Sequence, residues 1–483
     1  MNPLLFTDPV FLFLFLPMVL AGYYLIPRPA RNPFLLGASL LLYTWGEEIF
    51  SLVLLSSIAI NYGGGVAMKR SRASARKTLL VIGIVLNLLL LGTFKYTGFV
   101  VQNYNTLATH LGVRTATVSL IHLPIGVSFY TFMGISYLVD AYRDASETEP
   151  RPARFALYLS LFPHLIAGPI VRYSDIAAQL GDRPANLHNL AVGMRRFIVG
   201  LGKKVLISNT VAVPSDAIMK LPQAALTTPL AWFGIACYTL QIYYDFSGYS
   251  DMAIGLAKMF GFKFPENFNY PYVSRSITEF WKRWHMTLSS WLRDYLFFPL
   301  GVRGPRFRLY INIMIVFALC GLWHGARWHF VAWGLFQGLL LMTERAALLK
   351  LLDRLPRFAS HAYAVFAILT GWVFFRAEDV PTALGYLRAM FRFPSAPALS
   401  GLTPYFTPRL VLVVFAGVLG CMPFAPALNR WLADLLERVH AGAAAIVQTF
   451  ATTVRIAFYS ATLSGSLIMI AAGTYSAFIY FRF

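Results

Sequence analysis

The chain has 483 residues, of which 57% are hydrophobic and only 13% are charged. Soluble globular proteins carry about 25% charged residues, so this composition excludes that class and indicates a polytopic membrane protein. The formal net charge is +20. In a soluble protein this charge would suggest nucleic acid as a partner, but in a membrane protein Lys and Arg collect in the cytoplasmic loops. We therefore expect contact with the lipid bilayer and none with nucleic acid.

Apolar stretches recur along the whole chain. Those long enough to cross a hydrocarbon core of ~30 Å predict about ten or eleven transmembrane helices, some of them broken by Gly or Pro. The basic loop 69–77 follows the early stretches, and placing it in the cytoplasm puts the N-terminus outside. No soluble domain can be separated from these stretches. The prediction is one all-α membrane domain over residues 1–483, with its catalytic core at about 123–338.

Two acidic residues lie within an apolar run in the middle of the chain. Asp245 and Asp251 flank the sequence FSGYS, which contains Tyr249 and Ser250. Acids at membrane depth must be paired, hydrated or functional. We expect these four residues to belong to a polar lining, with catalysis by the acids as the less favoured interpretation. His164, in the Pro-bounded segment 163–169, is expected to serve packing at a re-entrant turn.

The segment 276–300 is predicted to be one amphipathic helix that lies along the cytoplasmic membrane interface. It begins with the pattern Ser-Ile-Thr-Glu, which is typical of a capping box, and its apolar residues, including Trp281 and Trp284, then recur at helical spacing. His285 falls on the border between the apolar and polar faces, and Ser289 follows it by one turn. The imidazole is therefore expected to reach a polar cavity, although snorkelling beside the charged face is an alternative.

Charged residues occupy the other face of this segment, among them Arg283, Arg293 and Asp294. Guanidinium groups bind phosphate through two hydrogen bonds, so the two arginines are suited to the phosphates of an acyl donor. Contact with anionic lipid headgroups is equally compatible with the pattern.

The sequence GLWHGARWHF, residues 321–330, contains a histidine between two glycines in a long apolar run. Ionisable side chains are costly at this depth and are commonly functional, and histidine suits proton transfer near neutral pH. His324 is therefore a candidate catalytic residue, with a buried structural histidine as the alternative. His329 is about 140° further round a helix, so the two histidines do not form a metal pair. We expect no metal, and the spacing of the three cysteines indicates none.

Five stretches together resemble the membrane-bound O-acyltransferase superfamily. The resemblance is closest to the bacterial branch that contains the alginate O-acetyltransferase membrane subunit and the D-alanyl transferase of teichoic acids. The passage 245–296, with NFNYPYVSRSITEFW, is similar to the signature of that branch, WHGA is similar to the invariant-histidine site, and the ending FIYF at 478–481 is similar to the alginate branch. One departure is that WHGA continues with Arg327 where alginate-type sequences usually have Asn, which bears on fine specificity.

This resemblance implies helices around a thin centre, with funnels from both sides that join in a central tunnel between a cytosolic acyl donor and an extracytoplasmic acceptor. It implies that His324 is the catalytic histidine and His285 a second functional histidine. The tryptophans Trp281, Trp284 and Trp323 are expected to line the route and exclude water. The other residues expected to line the tunnel are Asp245, Tyr249, Ser250, Asp251, Arg283, Ser289, Arg293 and Asp294.

The expected function is transfer of an acetyl group from a thioester in the bacterial cytoplasmic membrane, toward O-acetylation of an extracytoplasmic polysaccharide. His324 would act as general base on a hydroxyl, and His285 would orient the acceptor or polarise the thioester carbonyl. No bound cofactor is expected, and acetyl-CoA is the expected donor. The resemblance also implies a periplasmic SGNH-type acetyltransferase as a partner that places the acyl group on the polymer.

Two other functions remain open at this point. One is D-alanyl transfer from a carrier protein to teichoic acid. The other is a proton-coupled transporter that uses His324 and Asp245 as a proton path, which the absence of paired half-chain repeats disfavours. The chain contains no G-x-S-x-G nucleophile motif and no ATP-binding P-loop.

Overall fold

The computed structural model of the protein describes residues 5–118, 121–301, 305–392, 398–438 and 440–473. Within these ranges all regular structure is helical and no β-strand is found. The predicted all-α fold is therefore confirmed. The ending at 478–481 lies outside the described residues.

The α-helices are numbered here in chain order. Those of the first half are α1 Leu16–Leu25, α2 Arg31–Glu47, α3 Ser51–Arg70, α4 Ala73–Lys95, α5 Thr97–Leu111, α6 Val127–Arg143, α7 Pro152–Ser160, α8 Phe162–Leu165, α9 Tyr173–Gly181, α10 Leu187–Gly202 and α11 Asn209–Met219. Those of the second half are α12 Thr228–Met259, α13 Ile277–Trp281, α14 Met286–Leu292, α15 Arg306–His324, α16 Trp328–Thr343, α17 Leu349–Leu352, α18 Arg357–Arg376, α19 Val380–Met390, α20 Pro408–Gly420, α21 Phe424–Arg438 and α22 Ala441–Ala471.

Six helical segments of the described chain are long and apolar enough to cross a membrane. They are Arg28–Arg70, Ala73–Lys95, Leu187–Met219, Phe307–His324, Arg357–Arg376 and Gly442–Ala471. The pair α20 and α21, bent by 64°, makes a seventh if it is counted as one span. By this test of length and composition the described chain has six or seven spans, fewer than the ten or eleven apolar stretches counted in the sequence. Two central helices, α6 with 17 residues and α16 with 16, fall just short.

The centre of the bundle is α12, a 32-residue helix whose side chains are mostly buried. Glycines let it approach α10 closely: a Cβ atom on Gly200 would lie 2.6 Å from the carbonyl oxygen of Gly248, and one on Gly193 would lie 2.5 Å from that of Gly255. Small residues at helix crossings are typical of membrane proteins, because close backbone approach maximises packing where no water drives association.

The hairpin of α15 and α16 is packed equally closely. A Cβ atom on Gly321 would lie 2.1 Å from the carbonyl oxygen of Phe330, and one on Gly334 would lie 2.1 Å from that of Phe317. Helix α15 ends at His324, and the extended backbone of Gly325 starts the turn to α16. The glycines of this hairpin therefore fix the place of the histidine.

The predicted single helix over 276–300 is wrong. The structure has two short helices, α13 and α14, and a following π-helix, Arg293–Phe297. The chain breaks at His285, whose φ of 42° lies in the left-handed region. The predicted beginning of this segment agrees with the structure. The hydroxyl of Ser276 caps α13 by accepting a hydrogen bond from the backbone N–H of Glu279 at 3.0 Å.

The two ends of the bundle differ in their contacts. At the start of α4, beside the loop 69–77, Arg76 donates a hydrogen bond to the carbonyl of Ala141 at 3.0 Å. Nearby, Arg143 donates to the carbonyl of Asp294 at 3.0 Å. We call this end the basic side, and it includes the π-helix that follows α14.

The opposite end, which we call the far side, contains the other end of α4. There Lys95 donates a hydrogen bond to the carbonyl of Trp323, next to His324. Helix α15 therefore runs from the basic side to the far side and ends at the candidate histidine.

Candidate active site

Two buried imidazoles meet at one indole ring. His285 is 0% exposed and His324 is 4% exposed. The ring of Trp323 lies 6.4 Å from that of His285 and 4.9 Å from that of His324, measured between centroids. The two histidines were predicted from different segments, and the fold brings both to the same place.

Asn267 holds His285 in its unusual backbone conformation. The carbonyl of Asn267 accepts a hydrogen bond from the N–H of Met286 at 2.9 Å, and its side-chain Oδ1 lies 2.9 Å from the Nδ1 of His285. A non-glycine residue with positive φ costs free energy and persists only where its surroundings hold it, which is common at functional sites. Asn267 supplies these contacts from a loop that lies 18 residues earlier in the chain.

The same contacts fix which nitrogen of His285 carries the proton. The Nδ2 of Asn267 lies 3.4 Å from the carbonyl oxygen of Gly168, which can only accept, so Oδ1 is the atom that faces His285. The hydroxyl of Thr287 also donates to this oxygen, at 2.9 Å. The Nδ1 of neutral His285 must therefore be protonated, and its Nε2 carries the lone pair. Within the described part of the chain, this Nε2 has no hydrogen-bond partner.

His324 lies in an aromatic enclosure. Its ring is 5.1 Å from that of Trp333 and 5.2 Å from that of Phe375, both edge-on. His285 and Lys95 are close enough to act on it electrostatically. An enclosure of this kind excludes bulk water, which is required if a reactive acyl group is to reach an alcohol before water hydrolyses it.

A cavity of about 370 Å³ opens on the basic side of the two histidines. Three predicted residues line it, Trp281, Ser289 and Arg293, together with Arg345. The indole N–H of Trp281 donates to Gln337 at 3.2 Å and holds the ring in place. This cavity is mostly apolar with two guanidinium groups, a lining that suits a ligand with an apolar part and phosphates.

Asp294 anchors the rim of this cavity. Its carboxylate accepts hydrogen bonds from Arg293 at 2.7 Å and from Arg172 at 2.8 Å. Burial acts to raise the pKa of Asp294, but the hydrogen bonds from the two arginines outweigh burial and the pKa is lowered. Asp294 is therefore ionised near neutral pH and orients Arg293.

The two acids of α12 are both ion-paired. Asp245 pairs with Lys204, and Asp251 with Lys203 at 2.6 Å and Arg196 at 2.9 Å. Both lysines belong to the π-helix Lys203–Ser208, which the close contact of α10 and α12 places opposite the acids. These ion pairs explain how both carboxylates are stabilised within the bundle, so a proton path is not needed to explain their presence.

Ser250 and Tyr249 are placed differently from each other. The hydroxyl of Ser250 accepts a hydrogen bond from the Nδ2 of Asn267 at 3.1 Å, so it belongs to the support of His285. Ser250 and Asp251 also line a separate cavity of about 1070 Å³ between α10, α12, α20 and α22. Tyr249 instead stacks on Phe6 at 4.7 Å.

Two predicted lining residues lie away from the basic-side cavity. Arg283 pairs with Glu279 at 2.9 Å, one turn earlier, and is not among the residues that line the cavity. Trp284 is 2% exposed and packs in an aromatic cluster with Phe280 and Trp372. Both residues lie in the break between α13 and α14, so helical periodicity could not show which of them meets a cavity.

Comparison with known proteins identifies the chain. A family model described as MBOAT, membrane-bound O-acyltransferase family, matches residues 76–368. The chain belongs to the membrane-bound O-acyltransferase family. This O-acyltransferase is a multi-pass membrane protein, and the matched region contains His285, His324 and Asn267.

Several curated relatives match this O-acyltransferase over most of their length. It is 44% identical to a probable alginate O-acetylase of Azotobacter vinelandii over 393 residues, which are 81% of this chain and 78% of the relative. It is 37% identical to a peptidoglycan O-acetyltransferase of Helicobacter pylori over 427 residues, or 80% of each chain. The teichoic acid D-alanyltransferase of Bacillus subtilis is 32% identical over 235 residues, covering 45% of this chain and 58% of the relative.

Two residues of this O-acyltransferase site escaped prediction. Asn267 lies in a loop without periodicity, so no pattern connects it with His285. Lys95 had a visible signal, because it is a lone cation at the end of the apolar stretch of α4 and an ionisable residue in such a position is commonly functional.

Proposed function

We propose that this O-acyltransferase transfers an acetyl group from a cytosolic thioester to a hydroxyl acceptor on the opposite side of the bacterial cytoplasmic membrane. The donor is acetyl-CoA, and the step serves O-acetylation of an extracytoplasmic polysaccharide. The names of the alginate and peptidoglycan relatives support acetyl as the group and a glycan as the destination. The observation that carries the proposal is the pair of buried imidazoles at Trp323. The basic-side cavity lies on one side of them, and a second cavity of about 560 Å³, lined by Lys95, Gly325 and Phe330, lies on the far side.

The donor enters from the basic side, which the positive-inside rule assigns to the cytoplasm. Its thioester reaches the histidines through the cavity lined by Trp281 and Ser289. Its phosphates stay near Arg293 and Arg345 at the rim. The acceptor enters from the far side, beside the turn that follows His324.

In the proposed reaction His324 takes the proton of the acceptor hydroxyl, the hydroxyl oxygen bonds to the thioester carbon, and the carbon–sulfur bond breaks. The proton then passes to the leaving thiolate, so that an ester and a free thiol are formed. The tautomer of His285 favours one of its two expected roles. Its Nε2 can accept a hydrogen bond from the hydroxyl, but in the neutral state it cannot donate one to the carbonyl.

We further propose that a periplasmic SGNH-type acetyltransferase is the partner that places the acetyl group on the polymer. The resemblance to alginate-type systems supports this partner. D-alanyl transfer is the alternative reaction. The two reactions differ in their acyl donor, which is acetyl-CoA for acetyl transfer and a D-alanyl carrier protein for D-alanyl transfer.

The test uses the full chain in proteoliposomes with labelled acetyl-CoA on the basic side. We expect label on a hydroxyl acceptor, and a loss of roughly 10²- to 10⁴-fold in His324→Ala, the usual contribution of a general base. His110→Ala removes an exposed histidine of α5 and serves as the control. Transfer from a D-alanyl carrier protein but not from acetyl-CoA would overturn the proposal, and so would normal transfer by a well-folded His324→Ala protein.

A further inference from the structure

The separate cavity of about 1070 Å³ between α10, α12, α20 and α22 is lined by neither histidine. Its walls are mainly aliphatic and aromatic, and Val199, Ile254, Leu412 and Phe458 represent the four helices. Small-ligand sites have volumes of about 300–1,000 Å³, so this cavity lies at the upper end of that range. Its size and lining suit a ligand with long apolar chains.

This cavity extends from the outer surface of the bundle into its interior. Leu412 and Phe458 are exposed, and Phe458 lies near the middle of α22, a helix long and apolar enough to cross the membrane. Tyr244 and Asn267, which also line the cavity, are buried. A ligand can therefore enter sideways from the hydrocarbon of the bilayer and reach the residue that supports His285.

The charges on the cavity wall are not balanced. Three cations and two acids line it, namely Arg195, Arg196, Lys203, Asp251 and Glu266. Arg196 bonds to Asp251 at 2.9 Å and to Glu266 at 2.6 Å, and Lys203 bonds to Asp251 at 2.6 Å. Arg195 is exposed and forms no ion pair with any residue that the structure describes. Its guanidinium is therefore suited to a phosphate of the ligand.

A buried hydroxyl on the wall has no partner within the described part of the chain. Ser247 is 2% exposed and lines the cavity, and its Oγ forms no hydrogen bond with a described residue. Burying a hydroxyl without a hydrogen bond costs free energy. An ester carbonyl of a ligand in the cavity could accept a hydrogen bond from it.

We propose that this cavity binds one anionic phospholipid from the surrounding bilayer. The phosphate pairs with Arg195, an ester carbonyl accepts a hydrogen bond from Ser247, and the acyl chains pack against Leu412 and Phe458. The buried end of the cavity favours a thin acyl chain over a transmembrane helix, which is about 10 Å wide.

The lipid site goes beyond the proposed function, because it lies outside the routes of donor and acceptor. Asn267 and Met286 form part of its wall, and Met286 follows His285 in the chain. The bound lipid therefore packs against the support of His285. Its binding needs no acyl donor, so a test of the site does not depend on whether acetyl transfer occurs.

Binding can be measured by titrating the delipidated full chain with single phospholipids and counting the bound molecules by native mass spectrometry. We expect one phosphatidylglycerol to bind in preference to phosphatidylethanolamine and phosphatidylcholine, because only the first carries a net negative charge. Arg195→Gln should weaken binding of phosphatidylglycerol about tenfold, since it removes a charge-assisted contact. Ser247→Ala should weaken it about threefold, the effect of one neutral hydrogen bond.

The matched control for Arg195 is Arg70→Gln. Arg70 is exposed at the end of α3 and does not line the cavity, so its loss should change the affinity by less than about twofold. Equal binding of the three phospholipids would overturn the proposal. An equal loss of affinity in Arg195→Gln and Arg70→Gln would do the same.

Photo-crosslinking locates the bound lipid. A phosphatidylglycerol with a diazirine in one acyl chain should label α20 and the part of α22 around Phe458. Ala416→Trp fills the cavity from α20 and should abolish this labelling, whereas Phe415→Trp, at an exposed neighbour that does not line the cavity, should preserve it.

Labelling that persists unchanged in a folded Ala416→Trp protein would mean an annular lipid only and would overturn the site. Because Arg195→Gln changes only a surface side chain, it keeps the proposal open to refutation even if Ala416→Trp does not fold. A partner membrane protein that is released by Ala416→Trp, from a chain that retains no phospholipid, would assign the cavity to a helix instead.

Discussion

The Oδ1 of Asn267 accepts a hydrogen bond from the Nδ1 of His285 at 2.9 Å. This bond joins a loop after α12 to the break between α13 and α14. It sets both the backbone conformation of the histidine and the nitrogen that carries its lone pair. We therefore expect Asn267 to act as a positioning residue in the proposed acyl transfer.

Substitution of Asn267 is expected to lower kcat more than it changes KM. Asn267→Ala should reduce kcat about 10- to 100-fold, by analogy with residues that orient metal-binding histidines. Asn267→Asp keeps an acceptor for Nδ1 and should recover part of that loss. Steady-state kinetics with acetyl-CoA would measure both.

The matched control is Asn312→Ala. Asn312 is also buried, and its amide donates to the carbonyl of Gly301 at 2.8 Å. Its loss should lower stability with little change in kcat per folded molecule. If the two alanine variants lost kcat equally, or if Asn267→Asp were no better than Asn267→Ala, a purely structural role for Asn267 would be the better account.

The close packing of α15 on α16 leads to a second prediction, about Gly321. Gly321→Ala places a Cβ atom 2.1 Å from the carbonyl oxygen of Phe330, so the helices must separate. The cost should be about 1–3 kcal/mol of stability, and activity should fall because His324 ends the displaced helix.

The control is Gly92→Ala in α4, where a Cβ atom would meet nothing within 4 Å. It should change neither the stability nor the activity. Thermal unfolding and transfer rates of the purified variants decide the matter. Equal melting temperatures for the two would contradict the packing argument.

The sequence predicted the helical fold and both histidines, because apolar runs and isolated ionisable residues leave strong local signals. It missed the break at His285 because the apolar spacing continues through residues 281–292 and favours one helix. The break depends on Asn267, a tertiary contact that no local pattern contains. The same limit applies to Trp284, whose aromatic partners come from α12, α13, α18 and the segment between α12 and α13.

The assignment of the basic side to the cytoplasm predicts a labelling pattern. The three native cysteines are buried, so single added cysteines report their own position. Arg72→Cys and Arg151→Cys should react with a membrane-impermeant maleimide only after the cells are opened. Ile49→Cys, at a residue 67% exposed beyond the end of α2, should react in intact cells. If instead Arg72→Cys and Arg151→Cys reacted in intact cells and Ile49→Cys did not, the basic side would face outward. The proposed direction of acyl transfer would then be wrong.

The last prediction concerns Arg293 at the rim of the basic-side cavity. Arg293→Ala should raise the KM for acetyl-CoA about tenfold with a smaller change in kcat, because a charged contact to a donor phosphate is lost. Arg283→Ala is the matched control, since Arg283 lies on the same segment but pairs with Glu279 and does not line the cavity. Its KM should stay within about twofold, as expected for a surface ion pair.

The lipid composition separates donor binding from headgroup contact. If Arg293 holds a donor phosphate, the effect of its loss on KM persists in vesicles of neutral lipid. If Arg293 instead contacts anionic headgroups, the difference between Arg293→Ala and the unsubstituted protein disappears there. Donor binding is also wrong if Arg283→Ala raises KM as much as Arg293→Ala does. Because Asp294 fixes Arg293 through a 2.7 Å hydrogen bond, Asp294→Asn should reproduce part of the Arg293→Ala effect without removing a positive charge.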